Sequence, residues 1–226
     1  MTSDVSSESV ASLPSGSCGV ARDRAVLRSF PARMPAAIVV GASTGGPQAL
    51  PILLSQLGKA AQFAPVLVTQ HMPGAFAARL ADHLARASRG AAALARQGEP
   101  VSPGRIYLAP AERHMRVIRH GGVAIDLDDG PPVNFCRPAI DPLFESAARI
   151  WGRGALGIVL TGMGRDGLRG ARSIVEAGGA IVVQDQASSA VWGMPGSVVR
   201  AGLCAAVLPI ERIGPLLAGL FAEHSA

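Results

Sequence analysis

Two spacings of apolar residues run through this chain. Continuous aliphatic and β-branched runs, each closed by glycine, proline or small polar residues, occur at Ile38 to Val40, Phe63 to Gln70, Ala155 to Leu160 and Ala180 to Val183. Runs apolar at nearly every position read as strands buried on both faces, the mark of a parallel sheet covered by helices. Between them, apolar residues recur three and four apart, which predicts helices over about Pro47 to Leu57, Ala75 to Arg86, Asp141 onward, Gly167 to about Ala177 and Pro209 to Ala222. Asp141-Pro142 predicts an aspartate N-cap with proline just inside the helix. Shorter strand candidates at Ala91 to Ala95, Arg105 to Ala109, His114 to Arg119 and Val123 to Leu127 are separated by proline and glycine turns and predict a more antiparallel region, followed by a long loop from Asp128 to Pro138. Strands alternating with helices imply an α/β fold, doubly wound, with a mainly parallel sheet, helices on both faces and a small antiparallel portion.

Composition narrows the setting. With 226 residues, 49% of them hydrophobic, the chain can bury a full core as one domain. Residues 1 to 35, rich in Ser, Gly and Pro, read as a flexible tail, and 36 to 226 as the globular domain. No apolar run reaches the roughly 18 residues needed to span a bilayer, and the N-terminus lacks a basic segment leading into an apolar one. A cytoplasmic location without membrane insertion is therefore expected. Cys18, Cys136 and Cys204 are too scattered for a disulfide framework or a zinc site. The net charge of +5 rests on dispersed arginines, with Lys59 the only lysine, and no aromatics are interleaved. Nucleic-acid binding calls for a clustered basic stripe, so this pattern argues against it.

Three strand ends carry candidate chemistry. Gly41-Ala42-Ser43-Thr44-Gly45 follows the first strand and precedes Pro47, a spacing in which a tight strand-to-helix turn projects a serine hydroxyl into a cleft. Taken alone, the same loop could equally cap the helix or bind phosphate. His71 follows the second strand and Asp166 the third, so a parallel sheet would bring Ser43, His71 and Asp166 to one edge, the requirement for a proton relay. Among the other histidines, His83 falls within a helix, His114 and His120 border a strand candidate, and His224 lies near the C-terminus. His71 is the best-placed base. A rival reading starts from Gly162-x-Gly164-x-x-Gly167 with Asp185 beyond it, which approaches a dinucleotide fingerprint. In that reading Asp166 would oppose a pyrophosphate at the helix N-terminus, and the two anions would repel. Asp126 to Gly130 approximates a calcium loop, but its glycine comes one position early and no glutamate follows at the required spacing.

The blocks Val40-Gly41-Ala42-Ser43-Thr44-Gly45-Gly46-Pro47, Thr69-Gln70-His71-Met72-Pro73, Ile106 to Pro110, Asp129 to Asn134, Arg137-Pro138, Leu160 to Gly167 and Gly193-Met194-Pro195, in this order, resemble the catalytic domain of the chemotaxis protein-glutamate methylesterases, the CheB family, from about Ala36 to Leu220. The resemblance implies hydrolysis of glutamate γ-methyl esters on the cytoplasmic helices of methyl-accepting chemoreceptors with release of methanol and, in some members, deamidation of receptor glutamines. It implies Ser43 as nucleophile, His71 as base, Asp166 as orienting acid, the Met163 amide as an oxyanion donor, and Thr44 as a neighbour shaping the site. No metal or organic cofactor is implied. The family's usual N-terminal receiver domain exceeds what 35 residues can hold, so control of this chain by phosphorylation does not follow from the resemblance, and a separate regulatory protein joins the chemoreceptors as a candidate partner. Phe135-Cys136 replaces a small or basic residue before histidine, and Gln186 stands where glutamate is common. Two alternatives stay in view at this point: a nucleotide- or cofactor-binding domain built on the Gly162 loop, and a receptor-binding module that has lost its activity.

Overall fold

A computed structural model describes residues 27–31, 33–57, 60–89 and 91–222. The predicted tail up to residue 26, together with Cys18, Lys59 and His224, lies outside the described residues. In chain order the elements are β1 (Ala37–Ala42), α1 (Gly46–Gln56), α2 (Ala60–Phe63), β2 (Val66–Gln70), α3 (Gly74–Ala87), β3 (Ala92–Leu94), β4 (Ile106–Leu108), β5 (His114–Arg119) and β6 (Val123–Asp128). They continue with α4 (Ile140–Trp151), β7 (Ala155–Val159), α5 (Leu168–Glu176), β8 (Ala180–Gln184), α6 (Gly193–Arg200), β9 (Ala206–Leu208) and α7 (Ile210–Ala222).

The seven-stranded sheet has the order β3-β4-β2-β1-β7-β8-β9, and every pairing in it is parallel. The unbroken apolar runs have their physical reason here, since β1, β2, β7 and β8 are buried at every position. Along β1, Ile38, Val40 and Ala42 join the core beneath α1, α3 and α7, while Val39 joins the core beneath α4, α5 and α6. Helices thus cover both faces, as expected for a doubly wound sheet. The antiparallel portion is the β5–β6 hairpin, which closes against α4 through a hydrogen bond from the Val117 amide to Ser146 Oγ at 3.1 Å.

The structure corrects several expectations. The segments placed in an antiparallel region at Ala91 to Ala95 and Arg105 to Ala109 are parallel members of the main sheet; three-residue strands carry too few positions for periodicity to reveal their partners. The segment read as one strand from Phe63 begins instead with the helical turn of α2, and Pro65 separates the two. α6 and β9 have no counterpart in the sequence reading, because Gly193, Pro195 and Gly196 mask the helical pattern of α6. Asp141 does not cap α4 with its side chain: Ala139 occupies that position, and the Asp141 carboxylate accepts the Gly170 amide at 2.8 Å. Among the described residues, no helix is long and apolar enough to cross a membrane.

Candidate active site

β1 is the central strand, with β2 on one side and β7 on the other, so its C-terminal end is the switch point at which chain connections depart in opposite directions. Doubly wound sheets open a crevice there. Ser43 follows β1, His71 follows β2, and Asp166 lies in the loop after β7. The structure brings all three to this one sheet edge.

The Ser43 loop is held by backbone geometry. Its amide donates to the Thr161 carbonyl at 3.0 Å, tying it to the end of β7, and its carbonyl accepts the Gly46 amide at 2.8 Å to close a tight turn. The third position of that turn is Gly45, at φ 85°, a left-handed conformation costly for a residue with a Cβ. Close approach matters as well, since a Cβ on Gly162 would lie 2.7 Å from Ser43 Cβ. The Ser43 hydroxyl has no hydrogen-bond partner among the described residues.

His71 extends the β1–β2 ladder by one further bond, its amide donating to the Ala42 carbonyl at 3.0 Å. Its Nε2 lies 2.7 Å from Asp166 Oδ2, with the two side chains 12% and 3% exposed. Burial pulls the imidazolium pKa down; the hydrogen bond to Asp166, the Cys136 contact and the Asp166 charge more than reverse this, so that it stands at about 9. The other ring nitrogen, Nδ1, lies 3.6 Å from Cys136 Sγ.

Asp166 is fixed by more than histidine. The Ile140 amide donates to Oδ2 at 2.6 Å, the Asp141 and Gly167 amides donate to Oδ1 at 3.3 and 3.0 Å, and Asn134 Nδ2 donates to Oδ1 at 2.9 Å. The carboxylate therefore caps the N-terminus of α4, not that of the helix it precedes, and the free amides there favour its charge. Burial raises its pKa, but the His71 hydrogen bond and the Ile140 amide outweigh burial and leave it below the usual carboxylate range. Asp141, also buried and bridged to Asp166 by Asn134, is pushed up by desolvation and, to a lesser degree, by the neighbouring Asp166 charge.

Ser43, Thr44, Gln70 and His71 line a cleft of about 480 Å³, together with Phe76, Arg79 and His83 of α3. The backbone amides of Thr44 and Met163 have no acceptor among the described residues. Phe76, Phe135 and Met163 are exposed apolar side chains.

The rejected candidates have structural explanations. His114 is buried and bonded to Pro131 and Ala139. His120 lies on the hairpin turn after β5. Asp185 accepts from the Ser188 amide and hydroxyl, which commits it to its own turn and leaves it unsuited to holding a ribose. Asp128 pairs with Arg116 and accepts the Gly130 amide. No group of metal-ligating side chains exists among the described residues. Gln70, Asn134 and Cys136 are contacts that the sequence reading did not assign to the site. Asn134 and Cys136 reach it from the Asp128 to Pro138 loop, where no periodicity places a side chain.

Fold and site together define a parallel α/β protein with a serine, a histidine and a buried carboxylate grouped at its switch point. Residues 24–217 match the profile described as CheB methylesterase, and the chain belongs to that family. It is 58% identical over 196 residues to a protein-glutamate methylesterase/protein-glutamine glutaminase of Bradyrhizobium diazoefficiens, covering 86% of this chain and 49% of that one. A protein of the same double designation from Caulobacter vibrioides is 53% identical over 192 residues, or 84% and 55% of the two chains. The chain spans about half the length of the curated relatives it matches. The crystal structure of the Thermotoga maritima CheB methylesterase catalytic domain superposes with a TM-score of 0.79 at 36% identity, covering 83% of this chain and 100% of that one.

Proposed function

We propose that this chain is a serine esterase that hydrolyses glutamate γ-methyl esters on the cytoplasmic helices of methyl-accepting chemoreceptors, releasing methanol. The observation that carries the reading is the buried His71–Asp166 pair at 2.7 Å, with His71 lining the same cleft as Ser43. Asp166 holds the proton on Nε2, which leaves the Nδ1 lone pair of neutral His71 to accept the proton of Ser43. The Ser43 oxygen attacks the ester carbonyl, and the oxyanion is received by the uncommitted amides of Met163 and Thr44. His71 then returns its proton to the departing methoxide as methanol. Water, deprotonated by the same base, attacks the acyl-serine and frees the glutamate carboxylate and Ser43. The Ser43–Nδ1 hydrogen bond closes with substrate in place; apo hydrolases commonly leave it open.

A carboxamide passes through the same steps with ammonia leaving, so glutamine deamidation, part of the relatives' designation, fits the same groups. Phe76, Phe135 and Met163 suit the apolar face of a receptor helix, and Arg79 suits the acidic side chains beside it. The partners in this reading are chemoreceptor cytoplasmic domains, met in the cytoplasm without nucleic acid or membrane insertion. The catalytic domain in this reading starts at residue 36, and the described residues Arg28, Phe30 and Met34 pack against it, Arg28 through its amide to the Cys204 carbonyl at 2.8 Å. Methanol release from methylated receptor tests the reading: Ser43→Ala is expected to abolish it in a protein that still folds, and retained turnover would overturn it.

A further inference from the structure

Where β1 and β2 end, their chains separate, and a side chain bridges the gap. Gln70 is the last residue of β2 and sits opposite Ala42 in register, so His71 follows Gln70 as Ser43 follows Ala42. The last main-chain bond between the strands runs from the His71 amide to the Ala42 carbonyl. Beyond it the Gln70 carboxamide takes over: Nε2 donates to the Ser43 carbonyl at 2.8 Å and to the His71 carbonyl at 2.8 Å. Both amide hydrogens are thus used, one on the residue of the nucleophile and one on that of the base.

Burial makes this bridge consequential. Gln70 is 2% exposed, and its Oε1 has no partner. A buried carbonyl oxygen left unsatisfied is costly, and what offsets that cost is the pair of bonds Nε2 makes. The assignment of oxygen and nitrogen follows from the two carbonyl acceptors, which only an N–H can satisfy. Gly46, the first residue of α1, makes room for the group: a Cβ there would collide with Gln70 Oε1.

We infer that Gln70 is a positioning residue that sets the distance and orientation of Ser43 relative to His71 by clamping their two main chains together. The inference rests on the esterase reading above. Gln70 touches no reacting atom in this scheme; it acts through the two residues it holds. Misplacing a reacting pair by about 1 Å lowers rate on the order of 10²-fold, so the clamp governs kcat and leaves substrate affinity alone.

The test uses Gln70→Met, which keeps the volume and removes both donors, and Gln70→Glu, which keeps the shape but donates only when protonated. For Gln70→Met, kcat for methanol release from methylated receptor is expected to fall about 100-fold with KM unchanged, and the rate at which a fluorophosphonate labels Ser43 should fall by a similar factor. For Gln70→Glu, the ratio of its kcat to that of the unsubstituted chain should climb as pH drops from about 8 to about 6, because a buried carboxyl gains its proton in that range. A kcat for Gln70→Met equal to that of the unsubstituted chain, measured per folded molecule, overturns the inference. If Gln70→Met does not fold, a flat Gln70→Glu ratio across that range overturns it. Ser43→Ala run alongside separates the two levels: turnover in that variant rejects the esterase reading, whereas a silent Ser43→Ala beside a fully active Gln70→Met rejects only the clamp.

Discussion

At the scale of single residues, the site is organised by what competes for the His71 ring. Asp166 holds Nε2 and the Cys136 thiol lies against Nδ1, and together they keep the imidazole protonated up to about pH 9. A base must be neutral to accept a proton, so kcat/KM is predicted to rise with pH and level off above about 9; a plateau reached near the ordinary histidine value would contradict this assignment. Cys136→Ala removes one of the raising contributions and should move that limb toward lower pH, as read from the same profile. The pair also links pH to stability. The histidine pKa is raised above its unfolded value, so its contribution is complete below about 6.5 and is lost as pH climbs through about 9. That contribution is on the order of 3 kcal/mol, and the lowered Asp166 pKa expresses the same contact from the acid side, where it weakens as the carboxylate takes up a proton. Urea denaturation at stepped pH should therefore show a midpoint falling at alkaline pH, with the fall absent in His71→Ala.

At the scale of elements, the Asp166 carboxylate does two jobs. It orients the imidazole and it caps α4, whose first amides have no side-chain cap of their own. The helix and the site are consequently coupled through one residue. Asp166→Asn would present an amide group toward donors, so it is predicted to lower stability by about 1–3 kcal/mol as well as kcat by about 10⁴-fold, the size seen when the aspartate of a serine protease triad is replaced. Asn134 completes the arrangement, standing at φ 50° with its Nδ2 bonded to Asp141 and Asp166 alike. Asparagine tolerates left-handed backbone better than most residues and here also separates two carboxylates. Asn134→Ala is expected to lose about 1–3 kcal/mol in denaturant unfolding, through the φ of its backbone and the unbridged pair; an unchanged midpoint would show that the loop holds Asp166 by its backbone amides alone.

At the scale of the molecule, the sheet order makes the site. Because β1 lies between β2 and β7, residues 43, 71 and 166 become neighbours although they are far apart in sequence. The exposed Phe135 and Met163 lie on the two loops that carry Cys136 and Asp166, so in the proposed reading docking and chemistry would share the same supports. Phe135→Ala and Met163→Ala together are predicted to raise KM for intact receptor several-fold while leaving fluorophosphonate labelling of Ser43 unchanged. Equal loss in both assays would place these side chains in the chemistry and not in docking.

Much of this was legible along the chain, and the reason is local. Strands buried on both faces must be apolar throughout, and strand ends in a parallel sheet must share an edge, so Ser43, His71 and Asp166 could be grouped before any coordinates. The antiparallel reading of β3 and β4 and the aspartate cap expected at α4 are failures of the same local logic, since each depends on a partner distant in sequence, whereas α6 is hidden by its own Gly193, Pro195 and Gly196. Gln70 illustrates the boundary: its place at the end of a strand is written in the apolar run before it, but its reach to the Ser43 carbonyl exists only once β1 and β2 lie side by side. The sequence by itself determined the class of fold and the sheet edge at which Ser43, His71 and Asp166 gather. The tertiary structure alone decided which ring nitrogen meets the carboxylate, which helix that carboxylate caps and which side chains clamp the site, because hydrogen-bond partners are chosen by distance in space and leave no period in the sequence.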